Sequence, residues 1–278
     1  MQQAGKDDSP TGAEPRRYRA LFISDLHLGT KGAQAEALLE FLRHHDAETI
    51  YLVGDIVDGW RIRKGWYWPQ AHNDIVQKLL RKGRKGAKII YVPGNHDEFL
   101  RDFYGTHFGG IEVRETAIHQ GADGKRYLVT HGDFFDMVVQ NARWLAYLGD
   151  WAYGAALAVS IRVNWLRRRL GFAYWSFSAW AKVNVKRAVN FIGKFEETLA
   201  AEARKHGVDG VICGHIHCAA LRDFDGLTYV NCGDWVESCT AAVEHFDGRM
   251  EIIDWSLTSR ALNREGVAVI QGWLRRAA

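Results

Sequence analysis

The chain has 278 residues, 47% of them hydrophobic and 25% charged, with a net charge of +3. Those values exclude a disordered or low-complexity chain and fit one large α/β unit with room for a substantial core. No uncharged run approaches the roughly 17–25 residues of a spanning helix, and residues 1–17 lack the basic start and apolar middle of a secretory signal, so the expected location is the cytoplasm or a membrane surface.

Residues 1–17 contain almost nothing a core would bury and read as a flexible tail. The chain organises itself from Arg19. Residues 20–23 (Ala-Leu-Phe-Ile) form a short apolar strand that runs into Ser24-Asp25-Leu26-His27. Residues 33–45 place Ala37, Leu38, Phe41 and Leu42 at helical spacing. A second strand at 50–53 ends in Gly54-Asp55-Ile56-Val57-Asp58, a helix follows over 70–82, and a third strand at 88–92 ends in Pro93-Gly94-Asn95-His96-Asp97. This alternation predicts a layered α/β fold, in which ligands gather beyond the carboxyl ends of the strands. Short strands at 111–113, 116–119 and 126–129 come next, the last running into Thr130-His131-Gly132-Asp133. A strand at 208–213 ends in Gly214-His215-Ile216-His217. Asp123-Gly124, Asp225-Gly226 and Asp247-Gly248 predict hairpin turns. Cys213, Cys218, Cys232 and Cys239 form no C-x-x-C pair and read as small buried residues.

The strand ends share one chemistry. Asp25 with His27, Asp55, Asn95, His131, and His215 with His217 all stand where an apolar strand opens into a loop. Residues i and i+2 of an extended strand face the same way, so each spaced pair is expected to present two ligands together. Each motif alone has a bland reading, because Asn and Asp form turns and a lone strand-end His is commonly a surface residue. Together they read as a metal site. Imidazoles, carboxylates and one amide oxygen, with no thiolate, suit Mn²⁺, Fe²⁺ or Zn²⁺ rather than a structural zinc site.

The order D-x-H, G-D-x-x-D, G-N-H-D, H-G-D and G-H-x-H resembles the signature of the calcineurin-like metallophosphoesterases, over about residues 18–255. That resemblance implies a two-sheet β-sandwich flanked by helices, with two divalent metal ions beyond the strand ends. Carried over, Asp25, His27 and His217 hold the first ion, Asn95, His131 and His215 the second, and Asp55 bridges both. His96 is expected to donate a hydrogen bond or proton to the phosphate or leaving oxygen, with Asp97 orienting it. No ligand position is missing, which argues against a non-enzymatic adaptor.

Between His131 and His215 lies more chain than one crossover needs. Over 138–194 the only acid is Asp150, so the segment nets +8 and leaves −5 for the remainder. Its aromatics, among them Trp144, Trp151, Trp165 and Trp175, accompany Arg162 and Arg167. Residues 134–195 read as a helical lid inserted into a domain spanning 18–260, with acyl-facing apolar surface and a basic edge for anionic lipid. A self-packed helical subdomain and a single-strand nucleic-acid surface are the other readings. Asp58, Trp60, Arg61, Arg63 and Lys64 form a second patch that is offered to substrate phosphates and a base, or else covers the core. Residues 261–278 carry Val267, Ile270, Trp273 and Leu274 in an amphipathic pattern.

A lid inserted after H-G-D is similar to the UDP-2,3-diacylglucosamine pyrophosphatases of lipid A synthesis, which split a lipid-linked sugar nucleotide, usually with Mn²⁺. The likeness implies a lipid-linked phosphate substrate, no obligatory nucleic acid, and a peripheral place on the cytoplasmic face of the inner membrane. That group typically has Arg where this chain has His96. The alternative is a metallophosphodiesterase for another phospholipid, a nucleotide or a nucleic acid.

Overall fold

The computed structural model describes residues 14–138 and 177–256. Along the chain come β1 (Arg16–Ile23), α1 (Ala35–His44), β2 (His45–Val53), α2 (Gly59–Lys64), α3 (Gln70–Arg84), β3 (Lys88–Val92), β4 (His107–Phe108), β5 (Ile111–Val113), β6 (Ala117–Gln120) and β7 (Arg126–Val129). After the insertion come α4 (Phe177–Lys205), β8 (Gly210–Cys213), β9 (Ala220–Phe224), β10 (Leu227–Asn231), β11 (Thr240–Glu244) and β12 (Met250–Asp254). Short 3₁₀ turns occupy Glu98–Phe103 and Asp133–Val138.

The strands form two sheets, ordered β12-β11-β1-β2-β3-β5-β4 and β6-β7-β8-β10-β9. The centre of each sheet is parallel: β1, β2, β3 and β5 in one, β7, β8 and β10 in the other. Parallel neighbours end on the same side, so the loops after β1, β2, β3, β7 and β8 converge on one rim. Antiparallel hairpins close the edges, and Asp123-Gly124, Asp225-Gly226 and Asp247-Gly248 each join such a pair.

The strand pleat builds three apolar layers. Ala20, Phe22, Tyr51, Val53, Ile90 and Val92 point inward and meet Val129, Ile212 and Val230 of the second sheet. Their neighbours Leu21, Ile23, Ile50, Leu52 and Ile89 point the other way, onto Leu38, Phe41 and Leu42 of α1 and Ile75 and Leu79 of α3. Val211 and Tyr229 pack on Phe195, Leu199 and Ala203 of α4. The result is the expected two-sheet α/β sandwich flanked by helices. Each fully buried Leu, Ile or Phe contributes about 1.5–3 kcal/mol. All four cysteines are free; three are buried and Cys218 is half-buried.

Two boundaries differ from the sequence reading by more than two residues. β1 begins at Arg16, inside the stretch read as a tail, because Arg16 and Arg17 pair through their backbones with His45 and Asp46. The chain also turns from helix to strand at His45 with no intervening loop. Residues 1–13, 139–176 (including Arg162 and Arg167) and 257–278 lie outside the described residues, as do most of the expected lid and the C-terminal amphipathic segment.

His45 explains the abrupt turn and carries a pH prediction. Its ring stacks on Phe41 at 4.2 Å, and its Nδ1–H donates to the Phe41 carbonyl at 2.8 Å. Lys82 of α3 donates to the His45 carbonyl at 2.8 Å and pairs with Asp46. Burial pushes the His45 imidazole down from 6.5 to about 4. As pH falls below 6.5 the unfolded chain takes up this proton first, so stability is lost between pH 6.5 and about 4. The full loss is roughly 3 kcal/mol. Urea unfolding of His45→Phe is expected to show that part of the pH slope removed.

Candidate metal centre

Every strand of the converging rim ends in a residue with ligand chemistry, and the backbone there is bent rather than extended. Asp25, His27, Asp55, His215 and His217 all have φ between +48° and +73°. This left-handed region costs a non-glycine residue on the order of 1 kcal/mol or more. The expectation that Asp25 and His27 share a direction through the strand pleat therefore has the wrong cause: the left-handed turns aim them. Backbone hydrogen bonds between the loops hold that geometry. Asp25 N–H donates to the Gly54 carbonyl (3.0 Å), His27 N–H to the Asp55 carbonyl (2.9 Å) and Trp235 N–H to the Asp25 carbonyl (3.0 Å).

The side chains meet in overlapping clusters. One ligand atom from each of Asp25, His27 and His217 lies within 4.8 Å of the others, and the same holds for Asp55, His131 and His215, and for His27, Asp55 and His96. Each carboxylate uses one oxygen to bind backbone and turns the other inward. Asp25 Oδ2 accepts from His215 N–H (2.9 Å), while Oδ1 faces His217 Nε2 at 3.1 Å. Asp55 Oδ1 accepts from His96 N–H (2.8 Å). Its Oδ2 sits 3.4 Å from His131 Nε2 and 3.9 Å from both His27 Nε2 and His96 Nε2. His131 Nδ1–H donates to the Val53 carbonyl (2.9 Å), which aims Nε2 at the cluster.

Two observations test whether divalent ions fit. Both side-chain heteroatoms of Asn95 are buried without a hydrogen-bond partner, and His131 Nε2 is buried without one of proper geometry. Such atoms cost about 1–3 kcal/mol each when nothing binds them. The electrostatics point the same way. Burial would raise the Asp55 carboxyl, but the surrounding His131, His96 and His27 imidazoles outweigh it and hold it well below its ordinary range. Burial would likewise lower His131, yet the adjacent Asp55 carboxylate raises it to about 10. The pocket favours positive charge, and an oxygen–nitrogen donor set without thiolate suits divalent ions.

The hydrogen bonds correct one expected role. Asp97 does not orient His96. It is fully buried, and its Oδ1 accepts from Gly94 N–H (2.5 Å) while Oδ2 accepts from Ile56 N–H (2.8 Å) and the Tyr91 hydroxyl. It thus ties the Asn95 loop to the Asp55 loop. Asp58 is the acid nearest the ring: its Oδ2 lies at ion-pair distance from His96 Nδ1 (3.1 Å), without hydrogen-bond geometry, and 3.4 Å from His27 Nδ1. Its other oxygen caps α2 by accepting from Arg61 N–H (2.8 Å), a contact worth about 1 kcal/mol. Asp58 is therefore buried under two imidazoles rather than offered to substrate.

The remaining patch residues sit on α2. Trp60 lies against His96 at a tilt, with ring centroids 4.2 Å apart. Arg61, Arg63 and Lys64 are exposed, and none has a carboxylate at ion-pair distance among the described residues. Sequence reasoning also passed over Asp133. It accepts from Arg101 (2.5 Å), which follows the Asn95 loop, and so locks the His131 loop against it. The third letter of H-G-D was the available signal.

A model of the calcineurin-like phosphoesterase family matches residues 18–219. UDP-2,3-diacylglucosamine hydrolase of Aeromonas salmonicida is 27% identical over 234 residues, 80% of this chain and 88% of that protein. The protein of that name from Edwardsiella ictaluri is 30% identical over 213 residues, 73% of this chain and 78% of the other. Among solved structures, the phosphoesterase Yfce of E. coli aligns with a TM-score of 0.41 at 14% identity, over 84% of this chain and 98% of that one. Sandwich, strand-end donor clusters and family match agree: the chain belongs to the calcineurin-like phosphoesterases, hydrolases that work with divalent metal ions.

Proposed function

We propose that this chain hydrolyses the diphosphate of a lipid-linked sugar nucleotide, UDP-2,3-diacylglucosamine, to UMP and diacylglucosamine 1-phosphate. The observation that carries the chemistry is the double donor cluster around Asp55, with the unpartnered Asn95 beside it. The relatives' names support the substrate. Asp25, His27 and His217 would hold one ion, Asn95, His131 and His215 the second, and Asp55 would be common to both. Mn²⁺ is the first choice by the likeness to the lipid A enzymes, and the donor chemistry also admits Fe²⁺ and Zn²⁺. When bound, two such ions supply a low-pKa water and neutralise charge on the phosphoryl oxygens.

The protein's own groups do the rest. Asp58 Oδ2 lies 3.1 Å from His96 Nδ1, with Nε2 on the Asp55 side, where it can donate to the phosphoryl or leaving oxygen. Arg61 follows directly and suits the second phosphate. Release of UMP from UDP-2,3-diacylglucosamine in detergent with Mn²⁺ is the test. Hydrolysis of bis-p-nitrophenyl phosphate without UMP release would leave a phosphodiesterase of another substrate, the reading that His96 in place of the group's usual Arg favours.

A lipid substrate requires access to a membrane, and we place the chain on the cytoplasmic face of the inner membrane. No helix among the described residues is long and apolar enough to cross one. The exposed ring of Trp66 (76% accessible) beside Arg63 and Lys64 suits an anionic lipid surface. Each cation near such a surface is worth about 1 kcal/mol. Arg63→Gln/Lys64→Gln is expected to lower partitioning onto phosphatidylglycerol vesicles by an order of magnitude in flotation. Unchanged partitioning would remove this patch from the membrane contact.

A further inference from the structure

His96 is held by more than Asp58. Its backbone carbonyl accepts from Gly59 N–H at 2.9 Å, which fastens the start of α2 to the Asn95 loop. A Cβ at Gly59 would stand 2.9 Å from that carbonyl and 3.1 Å from the Phe99 ring, so the approach needs glycine. The next residue, Trp60, lays its indole on the imidazole, with centroids 4.2 Å apart and planes 36° apart. The indole is itself tied: its Nε1–H donates to Glu98 Oε1 at 3.2 Å. His27 meets the imidazole edge-on, with centroids 4.6 Å apart.

These contacts divide the work. The Asp58 carboxylate lies 3.1 Å from Nδ1 without hydrogen-bond geometry, so it attracts the ring but leaves it free to pivot. The indole against the ring, tilted 36° to it, limits that pivot. We infer that Trp60 is a positioning residue for the reaction, acting through His96 rather than stacking on the substrate's base. Glu98 is the anchor that holds the indole in place. The inference rests on His96 being used in catalysis, as proposed above.

The test is a double-mutant cycle read on bis-p-nitrophenyl phosphate, which has no nucleobase. Trp60→Ala is expected to lower kcat roughly tenfold with KM little changed, and Trp60→Phe to restore most of it. In a His96→Asn background, Trp60→Ala is expected to cost nothing further. A second readout needs no turnover. In metal-free, histidine-labelled protein, the His96 ring C–H resonance (assigned by its loss in His96→Asn) is expected to move when the indole's ring current is removed.

Additive losses, or an unmoved resonance, would overturn the inference. So would a Trp60→Ala protein that hydrolyses bis-p-nitrophenyl phosphate normally but has a raised KM for the uridine substrate, which would assign the ring to the base. A fully active His96→Asn enzyme would sink the catalytic role of His96 and this inference with it. A normal cycle without UMP release would leave the inference standing and sink only the substrate assignment.

Discussion

Asp55→Asn is expected to abolish hydrolysis, lowering kcat by about 10³-fold or more, while the protein stays folded. The amide keeps the oxygen that accepts from His96 N–H, so the loop tie survives. What changes is the second atom. Asp55 Oδ2 stands among the Nε2 atoms of His131, His27 and His96. An NH₂ group there carries no charge and points donors at would-be ligands. It also removes a residue that two of the donor clusters share. Activity is read on bis-p-nitrophenyl phosphate with saturating Mn²⁺, and folding by circular dichroism. Loss of less than about tenfold would mean that Asp55 is not shared.

Gly54→Ala should damage the fold itself. Gly54 has φ +75°, and a Cβ added there would lie 2.2 Å from His131 Nδ1 and 2.3 Å from its Cγ. The imidazole cannot step aside, because it is buried and its Nδ1–H is committed to the Val53 carbonyl. Overpacking and the left-handed backbone together are expected to cost about 2–4 kcal/mol. That corresponds to a fall of roughly 5–10 °C in Tm. The effect should persist in chelator, since it arises from the chain and not from a bound ion. Gly65→Ala is the control: its Cβ would meet nothing within 4 Å, and no change is expected. Equal Tm values for both variants would contradict the close approach of Gly54 to His131.

Much of the fold was legible because the central strands are short apolar runs bounded by motif residues. Ile23, Val53, Val92, Val129 and Cys213 each end their strands where the sequence suggested. The ligand candidates were legible for the same reason, as polar residues clustered at strand ends. What stayed hidden depends on tertiary partners. Arg16 and Arg17 look like tail until β2 offers them backbone partners. α2 has six residues, too few for helical periodicity to show, and exists because Asp58 caps it. The exchange of roles between Asp58 and Asp97 was equally hidden. Asp97 follows His96 directly while Asp58 is distant in sequence, and only the folded loops show that Asp97 is taken up by Tyr91, Gly94 and Ile56.

The left-handed ligands were beyond sequence reading as well. Asp and His enter the left-handed region more often than other non-glycine residues, but too seldom for the sequence to mark Asp25, His27, Asp55, His215 or His217 in advance. Glycine does stand before Asp55, Asn95 and His215, where the backbone presses on side chains. A Cβ at Gly94 would lie 2.3 Å from Asp55 Oδ1, and one at Gly214 would lie 2.5 Å from Asp25 Oδ2. Those glycines make room for the site. The bent ligands around them carry strain that the inter-loop hydrogen bonds must offset.

The central claim is that two divalent ions share Asp55, and anomalous scattering from crystals grown with Mn²⁺ tests it most directly. Two peaks are expected, one among Asp25, His27 and His217 and the other among Asn95, His131 and His215, both beside Asp55. A single peak, or peaks away from Asp55, would contradict the account.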